Sequence, residues 1–170
     1  LHKIMNEYHI NKSTMALLPA KNTCYSTIVI EQNRQILVRK TPIQLIKTGC
    51  LDGGSTYDGR RKAVAHLTGC MQKPPIPINP GNHLFAFPTH SPSAFECNWI
   101  FYNHIKSIKP SVNNNDISVQ SILHFKNEQT LLMRESHYIL QKQMQRTAIC
   151  ILQFSNQAHE VLRYQEVKVQ

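Results

Sequence analysis

Three adjacent cations, Arg60, Arg61 and Lys62, stand in the segment TGCLDGGSTYDGRRKAVAHLTG, directly after a glycine-rich turn and at the start of a helical run. Their chemistry is electrostatic rather than bond-making. Cations at a helix N-terminus gain nothing from the helix dipole, and neighbours of like charge repel. A phosphate backbone would relieve both costs, with some cations pairing with phosphates while one reaches base edges. Lys73, just before Pro74 and Pro75, extends the patch, and Lys47 extends it from the preceding short helix. Arg39 and Lys40 are weaker members, and a solvated basic face is the alternative that these residues leave open.

Catalytic constellations do not form around this turn. Gly49, Gly53, Gly54 and Gly59 lack both the G-x-x-x-x-G-K-[ST] and the G-x-G-x-x-G spacing of phosphate-binding loops. Asp52 and Asp58 are carboxylates without an accompanying nucleophile and base, and Ser91 has no nucleophile-elbow context. The five cysteines are odd in number and widely spaced, which fits a reduced chain better than a disulfide framework. No Cys-x-x-Cys or His-x-x-x-His occurs, so a zinc site from Cys50, Cys70, Cys97 and His66 has little support. The expectation is a non-enzyme without cofactor or metal. Tyr57 is either a packed aromatic or a sugar contact, and Lys106 and Lys109 are either a second phosphate contact or a solvated strand end.

The charge balance agrees with a polyanionic partner. The chain of 170 residues carries 19 Lys plus Arg against 10 Asp plus Glu, a formal +9. Residues 1–110 hold 13 of those cations and 5 of the anions, so a basic face must come mainly from the first two-thirds. No apolar run approaches the roughly 20 residues of a membrane span, and the expected location is the cytoplasm, without a membrane partner.

These residues need elements to hold them. Alternation and β-branched content predict strands at Tyr8–Ile10, Met15–Leu18, Ser26–Glu31 and Gln35–Arg39, with a turn at Gln32–Arg34. Thr41 and Pro42 start a helix of about two turns that Gly49 should stop. A second helix starts near Ser55, whose hydroxyl should cap it, and ends at Gly69, with Ala63, Val64 and Leu67 on its packed face. Arg61, Lys62 and His66 then face solvent, and Arg60 lies toward the packed side. Lys73–Ser93 is dense in proline and reads as an extended arm with a turn at Asn79–Asn82 and a strand at His83–Phe87. Cys97–Ile108 reads as one strand with Trp99 and Phe101 in the core. A turn at Asn113–Asp116 leads to Ile117–Phe125, and one at Lys126–Gln129 to Thr130–Arg134. A helix capped by Ser136 runs to about Cys150, with Thr147–Phe154 ambiguous between helix and strand. The predicted class is α+β: one compact domain over 1–170 with antiparallel strands, two short central helices, a proline-rich extended arm and a C-terminal helix.

A helix-turn-helix reading fails, because the glycine-rich link of six or seven residues is too long and the second helix lacks base-reading Asn or Gln. An RNA-binding sheet with exposed aromatics beside cations is matched only loosely at Trp99–Lys106. The residues alone therefore describe a basic α+β protein. Its alternatives are a DNA binder, a basic protein-interaction module, or a single-stranded nucleic-acid binder without promoter specificity.

The ordered motifs Thr41–Ile46, Gly49–Cys50, Gly54–Ala63, Thr68–Gly69, Lys73–Ile76, Phe87–Ser91 and Cys97–Ile100 together resemble the central signature of the ComK family of bacterial competence transcription factors. Tyr138 and Arg146–Ala148 resemble its carboxy-terminal part. The resemblance spans about residues 8–155 and is strongest over 41–105. It implies an activator of DNA-uptake and recombination genes that binds paired A/T-rich promoter boxes in double-stranded DNA, chiefly through the minor groove. RNA polymerase, a Clp-protease adaptor and further copies of the same chain are the implied partners, with a cytoplasmic, nucleoid-associated location. The DNA-binding residues expected are Arg60, Arg61, Lys62, Lys73 and Lys47. Asn98 departs from the family's best-known member, which has glycine there, and the segment after Phe154 is shorter than the family leads one to expect.

Overall fold

A computed structural model describes residues 3–112 and 115–167, with side chains described as far as Ser155. Ten strands and three α-helices follow one another as β1 (Ile4–Met5), β2 (Thr14–Pro19), β3 (Thr27–Glu31), β4 (Gln35–Val38), α1 (Pro42–Asp52), α2 (Tyr57–Thr68), β5 (Ile76–Asn79), β6 (Leu84–Pro88), β7 (Trp99–Phe101), β8 (Ile105–Pro110), β9 (Ser121–Phe125), β10 (Thr130–Met133) and α3 (His137–Val167). A seven-stranded sheet has the order β1-β4-β3-β2-β7-β6-β5, antiparallel except for the β1–β4 pair. A three-stranded antiparallel sheet has the order β10-β9-β8. The architecture is the α+β domain expected, with mostly antiparallel strands and a C-terminal helix.

The central strands are apolar on both sides because both sides are covered. In β7, Trp99 and Phe101 join Leu17, Val29, Leu45, Ile46 and Ile78 in one core layer, beneath α1. Ile100 points the other way, into a layer with Met15, Phe87, Leu123, Phe125 and Leu140. A third, smaller cluster of Val64, Phe85 and Cys150 joins α2, β6 and α3. The proline-rich segment is extended as expected and well packed: Pro74 through Ile78 are buried, and β5 forms the sheet edge, where Pro77 is tolerated.

Several local expectations are corrected. Tyr8–Ile10 is not a strand. Tyr8 serves a side-chain network instead, in which its hydroxyl donates to Glu31 Oε1 at 2.7 Å and lies 2.6 Å from Thr14 Oγ1, while Ile10 packs into the core. Arg34 Nε donates to Glu31 Oε2 at 2.6 Å and closes the network. Helix α1 does not stop at Gly49 but runs to Asp52. Gly49 lets the helix pack closely, since a Cβ there would lie 2.9 Å from Ile10 Cδ1 and 3.0 Å from Ile78 Cγ2 and would displace them. The link to α2 is consequently only residues 53–56, so length does not exclude a helix-turn-helix. The absence of base-reading Asn or Gln from α2 still argues against one. The cap of α2 is Thr56, whose Oγ1 accepts from the Gly59 amide, rather than Ser55; Gly69 ends the helix as expected, at φ 74°.

The predicted strand Cys97–Ile108 is broken. A 3-10 turn at Tyr102–His104 carries the chain from the large sheet into the small one. Strand β9 begins at Ser121 rather than Ile117, which is 93% exposed. Of the expected Asn113–Asp116 turn, Asn113 and Asn114 lie outside the described residues. Residues 147–154 are helical, because Thr147 and Cys150 are buried one turn apart within α3.

Replacing Tyr8 by Phe removes two short hydrogen bonds from a buried carboxylate network and is expected to lower unfolding stability by about 1–3 kcal/mol, read from urea titration. Burial pushes the Glu31 carboxyl upward, but its bonds from Arg34, Tyr8 and Asn11 prevail and hold it below the ordinary carboxylate value. Glu31 therefore contributes stability above its unfolded pKa, and this is lost as pH falls through the lower folded value. The stability gap between wild type and Glu31→Gln should accordingly close on acidification, and a gap constant down to strongly acidic pH would contradict it.

Candidate nucleic-acid interface

Helix α1 turns Leu45, Ile46, Gly49 and Cys50 toward the sheet, which leaves Lys47 and Leu51, four residues apart, on its outer face. The capping box of Thr41 with Gln44 fixes where this helix starts and hence which face is outward. On α2 the same spacing places Tyr57 and Arg61 together. Lys47, Leu51, Tyr57, Asp58 and Arg61 form one side of an open cleft of about 1010 Å³, which Met71–Pro74 and Ser91–Ser93 complete. Tyr57 rests edge-on against the buried Trp99, with ring centroids 6.5 Å apart, so it is a packed aromatic that also reaches the cleft.

The fold thus brings Lys47, Arg61 and Lys73 from three separate segments to one surface. It separates the adjacent triplet. Arg60 turns back and donates from Nη2 to the Gly53 carbonyl at 3.0 Å, closing the α1–α2 link, and its Nε is buried without a hydrogen-bond partner. Lys62 lies on the outer flank, 74% exposed and 3.1 Å from Asp58 Oδ2. Asp58 also accepts from Arg61 Nη2 at 2.9 Å. The bonds from Arg61 and then Lys62 hold the Asp58 carboxyl below its usual value, so this one anion is ionised and shared between two cations. Lys47 and Lys73 have no carboxylate partner among the described residues.

Lys106 pairs with Glu128 at 2.8 Å, far from the cleft in the small sheet, which leaves it a strand-end ion pair. The buried thiols are poor nucleophiles and metal ligands: burial pushes Cys50 up to about 11 and Cys150 up to about 12. Cys50 and Cys97 lie in the large core, Cys70 lies beside α3, and His66 is exposed. Among the described residues no group of three His, Cys, Asp or Glu side chains could hold a metal ion, and no helix is long and apolar enough to cross a membrane.

Sequence reasoning missed the continuation of this surface onto α3. Gln72 and Lys73 also line a depression with Tyr138, Lys142, Gln143 and Arg146. Tyr138, Lys142 and Arg146 recur every four residues, the spacing of one helix stripe, and that signal was present in the sequence.

The fold and this surface define a class, that of a basic α+β protein with an open cationic cleft. Residues 5–159 match the protein family described as ComK protein. The chain is 30% identical over 164 residues to the competence transcription factor of Bacillus subtilis (strain 168), covering 95% of this chain and 83% of that protein. The chain belongs to the ComK family. No solved structure matches it.

Two substitutions separate the triplet's roles. Arg60→Gln breaks a charge-assisted bond at a half-buried position and is expected to cost about 1–3 kcal/mol of stability, whereas Arg61→Gln, on the surface, should stay within about 0.5 kcal/mol, both read by denaturant unfolding. Asp58→Asn removes the anion that competes for Arg61 and Lys62, so duplex DNA should bind more tightly, with a steeper salt dependence in a titration.

Proposed function

We propose that the protein is a transcriptional activator of competence genes, those of DNA uptake and recombination, which binds paired A/T-rich promoter boxes in double-stranded DNA mainly through the minor groove. The observation that carries this reading is the convergence of Lys47, Arg61 and Lys73 on one open cleft in a member of the ComK family. An open cationic surface suits a long polyanion better than a small substrate, which calls for an enclosed, largely apolar pocket. The narrow groove of A-tracts concentrates negative potential and draws in Arg and Lys, so a cleft that presents Lys47, Arg61 and Lys73 selects by shape.

The reading is of a regulator rather than an enzyme. It acts in the cytoplasm at the nucleoid, as an oligomer on paired boxes, with RNA polymerase and a Clp-protease adaptor as further partners. Lys62 joins the DNA surface once a phosphate displaces Asp58, and Arg60 contributes by holding the α1–α2 link.

The test is titration of the chain with a duplex carrying two helically phased A/T boxes, and with a G/C-rich duplex of equal length, across a salt series. Preference for the A/T duplex with steep salt dependence is expected, along with loss of at least tenfold in affinity for a folded Lys47→Gln, Arg61→Gln, Lys73→Gln triple variant. Equal weak binding to both duplexes would sink the promoter reading and favour a basic protein-interaction module. Preference for single strands would favour a single-stranded nucleic-acid binder.

A further inference from the structure

We infer that α3 supplies a second DNA surface, in which Lys142 and Arg146 take phosphate oxygens of the same duplex that occupies the cleft of Lys47, Arg61 and Lys73. The inference rests on the DNA-binding reading above and extends it to an element whose role neither the charge distribution nor the family signature assigns.

Three independent observations carry it. Tyr138, Lys142 and Arg146 form one stripe of α3, and all three line a depression of about 270 Å³ whose floor includes Gln72 and Lys73. Gln72 and Lys73 also line the larger cleft, so the two depressions adjoin along the segment that carries Lys73. The cations on the α3 side are available. Lys142 is exposed without a carboxylate partner among the described residues, while Arg146 donates from Nη1 to the neutral Gln143 Oε1 at 3.2 Å and keeps its remaining donors. This contrasts with Arg34, Lys40 and Lys106, each neutralised by a glutamate.

The third observation is a buried tie between the two halves. Gln143, 3% exposed, donates from Nε2 to the Lys73 carbonyl at 3.0 Å and to the Pro88 carbonyl at 2.7 Å. Lys73 has a left-handed backbone, φ 48°, which a non-glycine residue adopts only when its surroundings fix it. Gln143 therefore locks α3 to the segment that presents Lys73, so that the cations on either side keep a set spacing. A rigid set of phosphate ligands keeps more of its electrostatic attraction than flexible lysines that must first be ordered. Tyr138, 73% exposed beside them, offers an aromatic face and a hydroxyl to the sugar–phosphate backbone.

The test uses the full chain carrying Lys142→Gln with Arg146→Gln, titrated with the A/T-box duplex across a salt series and checked for folding by its thermal melt. Lys126→Gln, an exposed cation at the β9–β10 turn outside the groove, is the control for simple loss of charge. Two lost phosphate contacts should reduce the slope of log affinity against log salt by about 2, at about 0.9 per phosphate, and weaken binding about tenfold or more. A double variant with the slope and affinity of the Lys126 control would overturn the inference. Where the double variant fails to fold, Lys142→Gln alone decides, because its side chain is exposed: a slope reduced by about 1 supports the inference, and an unchanged slope defeats it. Steep binding by wild type with an unaffected variant would defeat only the α3 inference, whereas wild type without salt-dependent duplex binding would defeat the DNA reading and this inference together.

Discussion

In β7, Trp99 and Phe101 are buried toward one layer and Ile100 toward the other, so neither face of the sheet's centre can meet water. That two-sided burial dictates the rest of the architecture. One face needs a lid, which α1 provides, and the other needs the small sheet and α3. The chain reaches the second layer through the 3-10 turn at Tyr102–His104, after which β8 to β10 and α3 must fold back over Ile100 and Phe87. Burial of large apolar side chains at about 25 cal/mol per Å² is the principal favourable contribution, and it is gained only when both layers are in place. The basic surface exists because α1, α2 and α3, drawn in by this requirement, all pack against the β5–β6 hairpin, with α2 touching both of the other helices.

Charge is distributed on this frame by helix periodicity. Consecutive side chains on α2 are about 100° apart, so three neighbouring cations cannot share one environment. Arg60 faces the packed side and closes the α1–α2 link, Arg61 enters the cleft, and Lys62 stands on the outer flank. Asp58 in the first turn is favoured there by the helix dipole and shields both outward cations. The repulsion apparent in the linear sequence is largely relieved within the protein, and a phosphate must compete with a carboxylate rather than fill a void.

Gln143 links frame and surface. Its amide donates to two carbonyls of the proline-rich segment, those of Lys73 and Pro88, and its own oxygen accepts from Arg146. A neutral amide is suited to this position, because it crosslinks buried backbone without adding a charge that would need a counterion. The same contacts set the backbone of Lys73, so packing and surface electrostatics are coupled through one side chain.

Local signals in the sequence determined the hairpin β2–β3–β4, the Thr41 cap and Pro42 start of α1, the Gly69 stop of α2, the extended path through the prolines and the Ser136 start of α3, because caps, turns and proline act within a few residues. The cationic character of the middle segment, with Lys47, Arg61 and Lys73 among its members, was legible for the same reason. Tertiary structure alone decided that α1 passes through Gly49, where the helix packs closely on Ile10 and on Ile78 of β5. It alone decided that Tyr8 serves a side-chain network and that Cys97–Ile108 splits between two sheets. It also divided Arg60 from Arg61 and joined Lys142 and Arg146 to a groove about seventy residues earlier in the chain. Periodicity states which residues share a face, but what that face meets depends on elements brought together only when the two layers close on the sheet.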